Sequence, residues 1–340
     1  MMTTMKKFDV RYLLTDSDAD GVGCSVVFKA FTENLPDKYS SALSMVKYTY
    51  PGKTVDADLG EWFKERKLNP QVSWCLYITD LCPSVEAIKP VVEYANATGN
   101  CVVVYDHHVT ALPVMEAFQE NVLVECRKDQ SATKLFWREM IASNFTLVGN
   151  DRNAHKALKH FVDLVSDYDT WEWKNNPNPE LNGEENYVDV ILRFYGDRDC
   201  VRKKLYRNIF DEKKVFTVDD RNIIDIRLKH IKDVVERTPI TITNDEFPFT
   251  CGIIMANDCL AASLEKVYKN YDVDYAISLV PEKRLISVRT GKEDHSCLDA
   301  INYFCDPGMG GGHEKAAGGT VSVPMMLKLM AAYYNGKVVK

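Results

Sequence analysis

An α/β protein with a parallel sheet, followed by a second, smaller α/β domain, is the fold class the chain predicts, and three observations predict it. Apolar runs too short for helices alternate with helix-length amphipathic segments through the first half of the 340 residues, the pattern of strand–helix–strand crossovers. The clearest run, Cys101 to Tyr105, holds three valines in a row behind Gly99-Asn100, which suits a strand buried on both faces. Strand-rich composition returns after Pro239, beyond a long helical stretch.

Taken in order, residues 11–16 read as the first strand and Thr15 to Gly23 as a loop, with a helix starting at Cys24 to Phe31. Gly21 and Gly23 are expected to permit the tight turn into that helix. Ala42 to Tyr50 is the second strand, closed by Pro51-Gly52, and Asp58 to Lys67 is an amphipathic helix with Leu59, Trp62 and Phe63 on one face. Val72 to Thr79 is the third strand. Ser84 is a plausible N-cap for a helix over Val85 to Ala97 that stops at Gly99. Residues 101–105 and Val122 to Glu125 give two more strands, and Ser131 to Ser143 and Arg152 to Val165 two more helices.

The polar, Pro/Gly-rich stretch Asn175 to Asn186 marks a domain edge, and Val218 to Glu236 reads as a long connecting helix. Strands then follow at Phe249 to Met255, Tyr275 to Val280 and Leu285 to Arg289, with helices at Leu260 to Asn270 and Pro324 to Tyr334. The expected division is a first domain over 1–185, a helical linker over 186–240 and a smaller domain over 241–340.

Composition is that of an ordinary globular protein, 46% hydrophobic and 27% charged. A net charge of −7 argues against gripping long nucleic acid by its phosphates, which takes a basic surface, but leaves room for a short phosphorylated substrate. The ten cysteines form no Cys-x-x-Cys pair, so reduced, buried thiols are expected rather than disulfides or a zinc ribbon. No secretory signal is visible, and no apolar run approaches the ~20 residues that span a bilayer. The default expectation is a cytoplasmic protein without membrane association.

Chemistry-bearing groups gather at strand ends, where open α/β sheets bind ligands. The first strand leads into Asp16, Asp18 and Asp20, the third into Asp80, and the fourth into Asp106-His107-His108. On an extended loop alternate side chains point the same way, so at least two of the first three carboxylates converge, and crowded carboxylates call for a cation. A solvated acidic turn is the plainer alternative; an EF-hand is excluded because the twelfth loop position is Val27, not glutamate. Asp80 taken alone also fits a helix cap. One imidazole among several carboxylates points to manganese first. Asp167 and Asp169, after a helix, are both candidates for a last ligand. In the smaller domain Gly310-Gly311-Gly312-His313 precedes Glu314-Lys315-Ala316-Ala317-Gly318-Gly319. These glycines expose backbone N–H groups suited to an anion, and Arg289 ends a strand where it could grip a phosphate. A flexible linker and a surface arginine are the plainer readings.

Together DSDADG, Asp80, the Asp106-His107-His108 triplet and Asp167 resemble the DHH phosphoesterase superfamily in the family's order. GGGHEKAAGG and ISVRT resemble its DHH-associated domain in the nanoRNase and RecJ-like branch, so the likeness spans roughly residues 11 to 323. The resemblance implies a parallel-sheet catalytic domain joined by a helical linker to the DHH-associated domain, with the active site in the cleft between them. It implies two Mn²⁺ ions, with Mg²⁺ or Co²⁺ as substitutes, held by Asp16, Asp18, Asp20, Asp80, His107 and Asp167, with Asp80 bridging and Asp169 the rival to Asp167. Asp106 would support the first histidine, His108 would face the scissile phosphate, and Arg289, Gly311, Gly312 and His313 would bind substrate. Many relatives carry His where this chain has Asp16, a departure that shifts metal preference away from softer ions. The expected activity is hydrolysis of short RNA or DNA oligonucleotides or linear dinucleotides to 5′-mononucleotides, with a homodimer compatible. Cleavage of cyclic or linear signalling nucleotides and single-strand DNA exonuclease action are the alternatives. A non-catalytic scaffold is the reading from another class, disfavoured because the expected ligands are all present.

Overall fold

The computed structural model describes residues 6–35, 37–127, 129–142, 151–243, 246–256 and 258–339. It divides into two compact units between Ile224 and Asp225.

In the first unit, β1 (Val10–Asp16), β2 (Leu43–Thr49), β3 (Trp74–Thr79), β4 (Cys101–Asp106) and β5 (Val122–Val124) form one sheet in the order β2-β1-β3-β4-β5. Every neighbouring pair is parallel. The apolar residues of β1, β3 and β4 are almost all buried, as strands covered on both faces require. The covering helices are α1 (Ala19–Glu33), α2 (Lys53–Leu68), α3 (Val85–Thr98), α4 (Leu112–Ala117), α5 (Ala132–Trp137) and α6 (Arg152–Asp169). Because β2 lies on one side of β1 and β3 on the other, the crossovers reverse between β1 and β3, the point at which such sheets open a crevice for ligands.

Local chemistry explains most boundaries. The Ser84 side chain accepts from the Ala87 N–H at 3.2 Å, and α3 stops at Gly99 in the left-handed conformation, φ 73°, as expected. The helix expected over Ser131 to Ser143 is α5 followed by a π-helical turn over Arg138–Ala142; Ser143 lies outside the described residues. α1 starts five residues earlier than expected, because Asp18 serves as its N-cap and accepts from the Gly21 N–H at 3.0 Å. The role expected of Gly21 and Gly23 is therefore corrected. Both lie inside α1, and both are sites of close approach rather than of a turn. A Cβ on Gly21 would sit 2.0 Å from the Asp16 carbonyl oxygen, and one on Gly23 would sit 2.3 Å from Thr133 Oγ1 on α5.

The chain continues through α7 (Glu172–Asn175), α8 (Tyr187–Tyr195), α9 (Arg198–Phe210) and α10 (Val218–Arg237). Val188, Ile191, Leu205 and Ile209 bury their side chains and α9 packs on α1, so α8 and α9 fall within the first compact unit.

The second unit carries the strands β6 (Ile240–Thr243), β7 (Cys251–Met255), β8 (Tyr275–Val280), β9 (Leu285–Arg289), β10 (Cys305–His313), β11 (Ala316–Val321) and β12 (Lys337–Val339). Its helices are α11 (Leu260–Asn270), α12 (Cys297–Phe304) and α13 (Val323–Asn335). The sheet runs β10-β11-β9-β8-β7-β6-β12, with β7 and β8 parallel and the other pairs antiparallel. The glycine run is thus not a flexible linker: Gly310 to His313 pair with Gly319 to Ala316 as a hairpin. Small residues fit there because the two strands press together. A Cβ on Gly319 would lie 2.7 Å from the Gly310 Cα.

All ten cysteines are free thiols, six of them buried. Among the described residues no helix is long and apolar enough to cross a membrane.

Candidate metal centre

The carboxyl ends of β1, β3 and β4 bring their polar residues together. Asp80 follows β3 with φ 61°, a left-handed conformation that costs a non-glycine residue about 1–2 kcal/mol. Its N–H donates to the Tyr105 carbonyl at 3.1 Å, which ties the turn to β4 and aims the carboxylate inward. It caps no helix, since Ser84 does that for α3. His107 Nε2 lies 3.5 Å from an Asp80 oxygen, 3.8 Å from Asp20 and 3.4 Å from Asp169. That nitrogen, Asp80 Oδ2, Asp106 Oδ2 and Asp169 Oδ2 are buried and, among the described residues, make no hydrogen bond.

Three ligand groupings overlap here: Asp80 with Asp106, His107 and His108; Asp20 with His107 and Asp169; and Asp16 with Asp18 and Asp80. Asp80 and His107 each belong to two of them. The alternation expected of an extended acidic loop is corrected. Asp18 caps α1 and Asp20 lies in its first turn, so Asp16 and Asp18 meet Asp80 while Asp20 turns toward His107.

Asp167 is corrected as well. α6 runs on to Asp169, and residues two apart on a helix point about 200° apart. Asp169 therefore faces the cluster, whereas the charges acting on Asp167 come from Lys134, Glu185, Asp163 and Glu172. Ala132 and Thr133 at the start of α5 carried no expectation, yet they hold Asp20. Its carboxylate accepts from the Ala132 and Thr133 N–H groups at 2.8 and 2.9 Å, and Thr133 Oγ1 donates to its carbonyl at 2.7 Å. Ser131 at the N-cap of that helix was the visible signal. Arg198, at the start of α9, braces the acidic loop by donating to the Ser17 carbonyl at 2.9 Å.

Asp106 is fully buried, and its Oδ1 accepts from the backbone N–H groups of His107 and His108 at 2.7 and 3.2 Å and meets His108 Nδ1 at 2.7 Å. Burial alone would lower the His108 pKa, but the hydrogen bond and charge of Asp106 outweigh it and hold the imidazolium at about 9. His107, by contrast, is pushed down by burial, which leaves the neutral imidazole that binds metals. Burial and then Asp18 push Asp16 up to about 7. Asp80 and Asp169 are driven well above the carboxylate range by burial and by the charges of Asp20 and Asp18. Asp18 is the exposed member; the protein packed about its carboxyl and the charge on Asp20 still push it upward. Carboxylates this crowded ionise together only around a cation. The donor set, several carboxylates and one imidazole with orphaned buried atoms aimed at each other, fits a hard or borderline divalent ion.

In the second unit Arg289 ends β9 and opposes Ala316, which opposes His313, so the three occupy one row across β9, β11 and β10. Gly311 and Gly312 are exposed beside them.

No family model matches the chain. It is 27% identical over 317 residues to oligoribonuclease NrnB of Bacillus subtilis (strain 168), covering 92% of this chain and 73% of that protein. The chain is thus similar to an oligoribonuclease along most of its length, and its strand-end motifs stand in the order of the DHH phosphoesterases they resemble. Solved structures share the fold. The DHH domain of a member of the s1p family of ribosomal proteins matches 98% of this chain and 87% of its own with TM-score 0.61 and 12% identity. RecJ from Thermus thermophilus, in complex with Mn²⁺, matches 95% of this chain and 51% of its own with TM-score 0.57 and 11% identity.

Proposed function

We propose that this protein is a manganese-dependent phosphodiesterase of the DHH type that hydrolyses short oligonucleotides or linear dinucleotides to 5′-mononucleotides. The observation that carries the reading is the ring of Asp20, Asp80 and Asp169 oxygens 3.4–3.8 Å from His107 Nε2. Similarity to an oligoribonuclease over 92% of the chain supports the substrate class. Asp16, Asp18, Asp20, Asp80, His107 and Asp169 would hold the ions, which when bound lower the pKa of water toward neutrality and offset charge on phosphoryl oxygens. Asp106 fixes the His108 ring through Nδ1 and keeps it protonated, so Nε2 is the atom from which a proton can pass to the departing oxygen. Burial of Asp106 keeps that hydrogen bond out of competition with water. Arg289, Gly311, Gly312 and His313 would bind the substrate's phosphate.

Purified protein with Mn²⁺ and a panel of dinucleotide, 5-mer and 30-mer RNA and DNA, and cyclic dinucleotides tests this. Dinucleotide and 5-mer RNA should be consumed first, and Asp80→Asn should abolish both turnover and Mn²⁺ binding. Faster loss of the 30-mer or of a cyclic dinucleotide, or full turnover by Asp80→Asn, would sink the assignment.

A further inference from the structure

α6 ends in the carboxylate cluster, but its opposite half borders a different feature. A cavity of about 410 Å³ is lined there by His160 of α6, by Lys213, Lys214 and Arg221, and by Phe216 and Val218. His160 precedes Asp169 by nine residues on α6, about 14 Å along the axis at the usual helical rise. The volume is in the range of small-molecule sites, ~300–1,000 Å³.

The cationic wall is held from behind. The buried Asn208 side chain donates to the Val215 carbonyl at 3.0 Å and to Asp220 at 2.7 Å. Asp220, also fully buried, accepts from the N–H and hydroxyl of Thr217 at 2.9 and 2.7 Å and pairs with Lys204 at 2.8 Å. This network fixes the segment between α9 and α10, with Lys213 in the left-handed conformation. A site fixed before its ligand arrives loses less entropy on binding.

The lining is chemically divided. Lys213 pairs with Asp151 and Arg221 with Glu184, each at 2.6 Å. Lys214 is exposed, and among the described residues its ammonium makes no hydrogen bond or ion pair. With Lys213 and Arg221 each neutralised by a carboxylate, Lys214 leaves the cavity wall one net positive charge, which repels a metal ion and attracts an anion, on a chain whose net charge is −7. Val218 meanwhile is 74% exposed at the same cavity, whose lining also includes the buried Phe216. A bare phosphate would leave that apolar side uncovered.

We propose that this cavity is a second ligand site, separate from the metal centre, that takes a nucleoside monophosphate. Lys214 and Arg221 hold the phosphate, and the exposed Val218 packs against the nucleoside. The site does not depend on the hydrolytic reading. It is tested by calorimetric titration of AMP and of inorganic phosphate into the full chain in EDTA, where the carboxylate cluster holds no divalent ion. AMP should bind saturably, one per chain, at least tenfold more tightly than phosphate. Lys214→Glu should weaken AMP at least tenfold and Val218→Ser should weaken AMP but not phosphate. Lys64→Glu on the exposed face of α2 and Asp80→Asn at the metal centre should leave AMP binding unchanged. Absence of saturable AMP binding up to about 1 mM (roughly 4 kcal/mol of affinity), equal affinity for phosphate, unchanged affinity in Lys214→Glu, or loss in Asp80→Asn would each overturn the proposal.

Discussion

At Asp169 two residues of sequence decide whether a carboxylate faces an imidazole 3.4 Å away or the outer side of α6. Asp169→Asn should weaken Mn²⁺ binding by roughly 10- to 100-fold or more, the scale on which metal sites respond to loss of a supporting group, and hydrolysis should fall with it. Asp167→Asn should change neither more than about threefold, within the small effects expected of surface substitutions. Titration of both variants with Mn²⁺ separates the two residues directly. The Asp106-His107-His108 triplet needed no structure to be recognised, because consecutive metal-binding groups straight after a buried apolar run rarely serve packing or capping. Asp167 and Asp169 are chemically identical, so only the phase of the helix that carries them distinguishes one from the other.

At the scale of elements, α1 and α5 meet where Gly23 leaves no room for a Cβ, 2.3 Å from Thr133 Oγ1. Gly23→Ala should therefore destabilise the protein by about 1–3 kcal/mol in urea unfolding, the cost of overpacking a tight contact. Because Thr133 also holds Asp20, the same substitution should weaken Mn²⁺ binding, whereas a merely local clash would leave it alone. The α9–α10 junction carries a separate electrostatic device. Burial alone would raise the pKa of Asp220, but Lys204, Thr217 and Asn208 together hold it below its ordinary value. A carboxylate with a depressed native pKa adds stability that is fully present above its unfolded value near 4 and is lost as pH falls through the native one. Asp220→Asn should thus cost most stability at pH 6–7, and its deficit relative to the parent should shrink steadily toward pH 3. A deficit independent of pH would show that packing rather than charge sets the contribution of Asp220. The glycine hairpin shows the limit of reading elements from composition. Gly310 to Gly319 lacks the β-branched residues that mark strands, and only its partner β9 makes it one.

For the whole molecule, ligand linkage supplies the broadest check. If the carboxylate cluster binds a divalent ion only when folded, Mn²⁺ at 100 times its Kd should add about 2.7 kcal/mol of stability. Chelation should remove all of it, and Asp80→Asn should show no such response. Hydrogen exchange should place the added protection on the peptides around Asp16–Asp20, Asp80, Asp106–His108 and Asp169. Protection gained elsewhere instead would put the ion at another site.

Strand positions, helix existence and the polar strand ends were open to reading from the chain alone, because apolar periodicity and turn residues act over a few neighbouring positions. The same holds for the residue types gathered at the metal centre, since Asp16, Asp80 and His107 each sit where a buried strand stops. What tertiary structure alone decided was contact between distant segments: Asp20 held by the start of α5, Asp169 chosen over Asp167, and a glycine run drawn into a sheet. The physical reason is range. Local sequence sets which conformations a segment can adopt, but burial and charge at a site are summed over every segment that packs there.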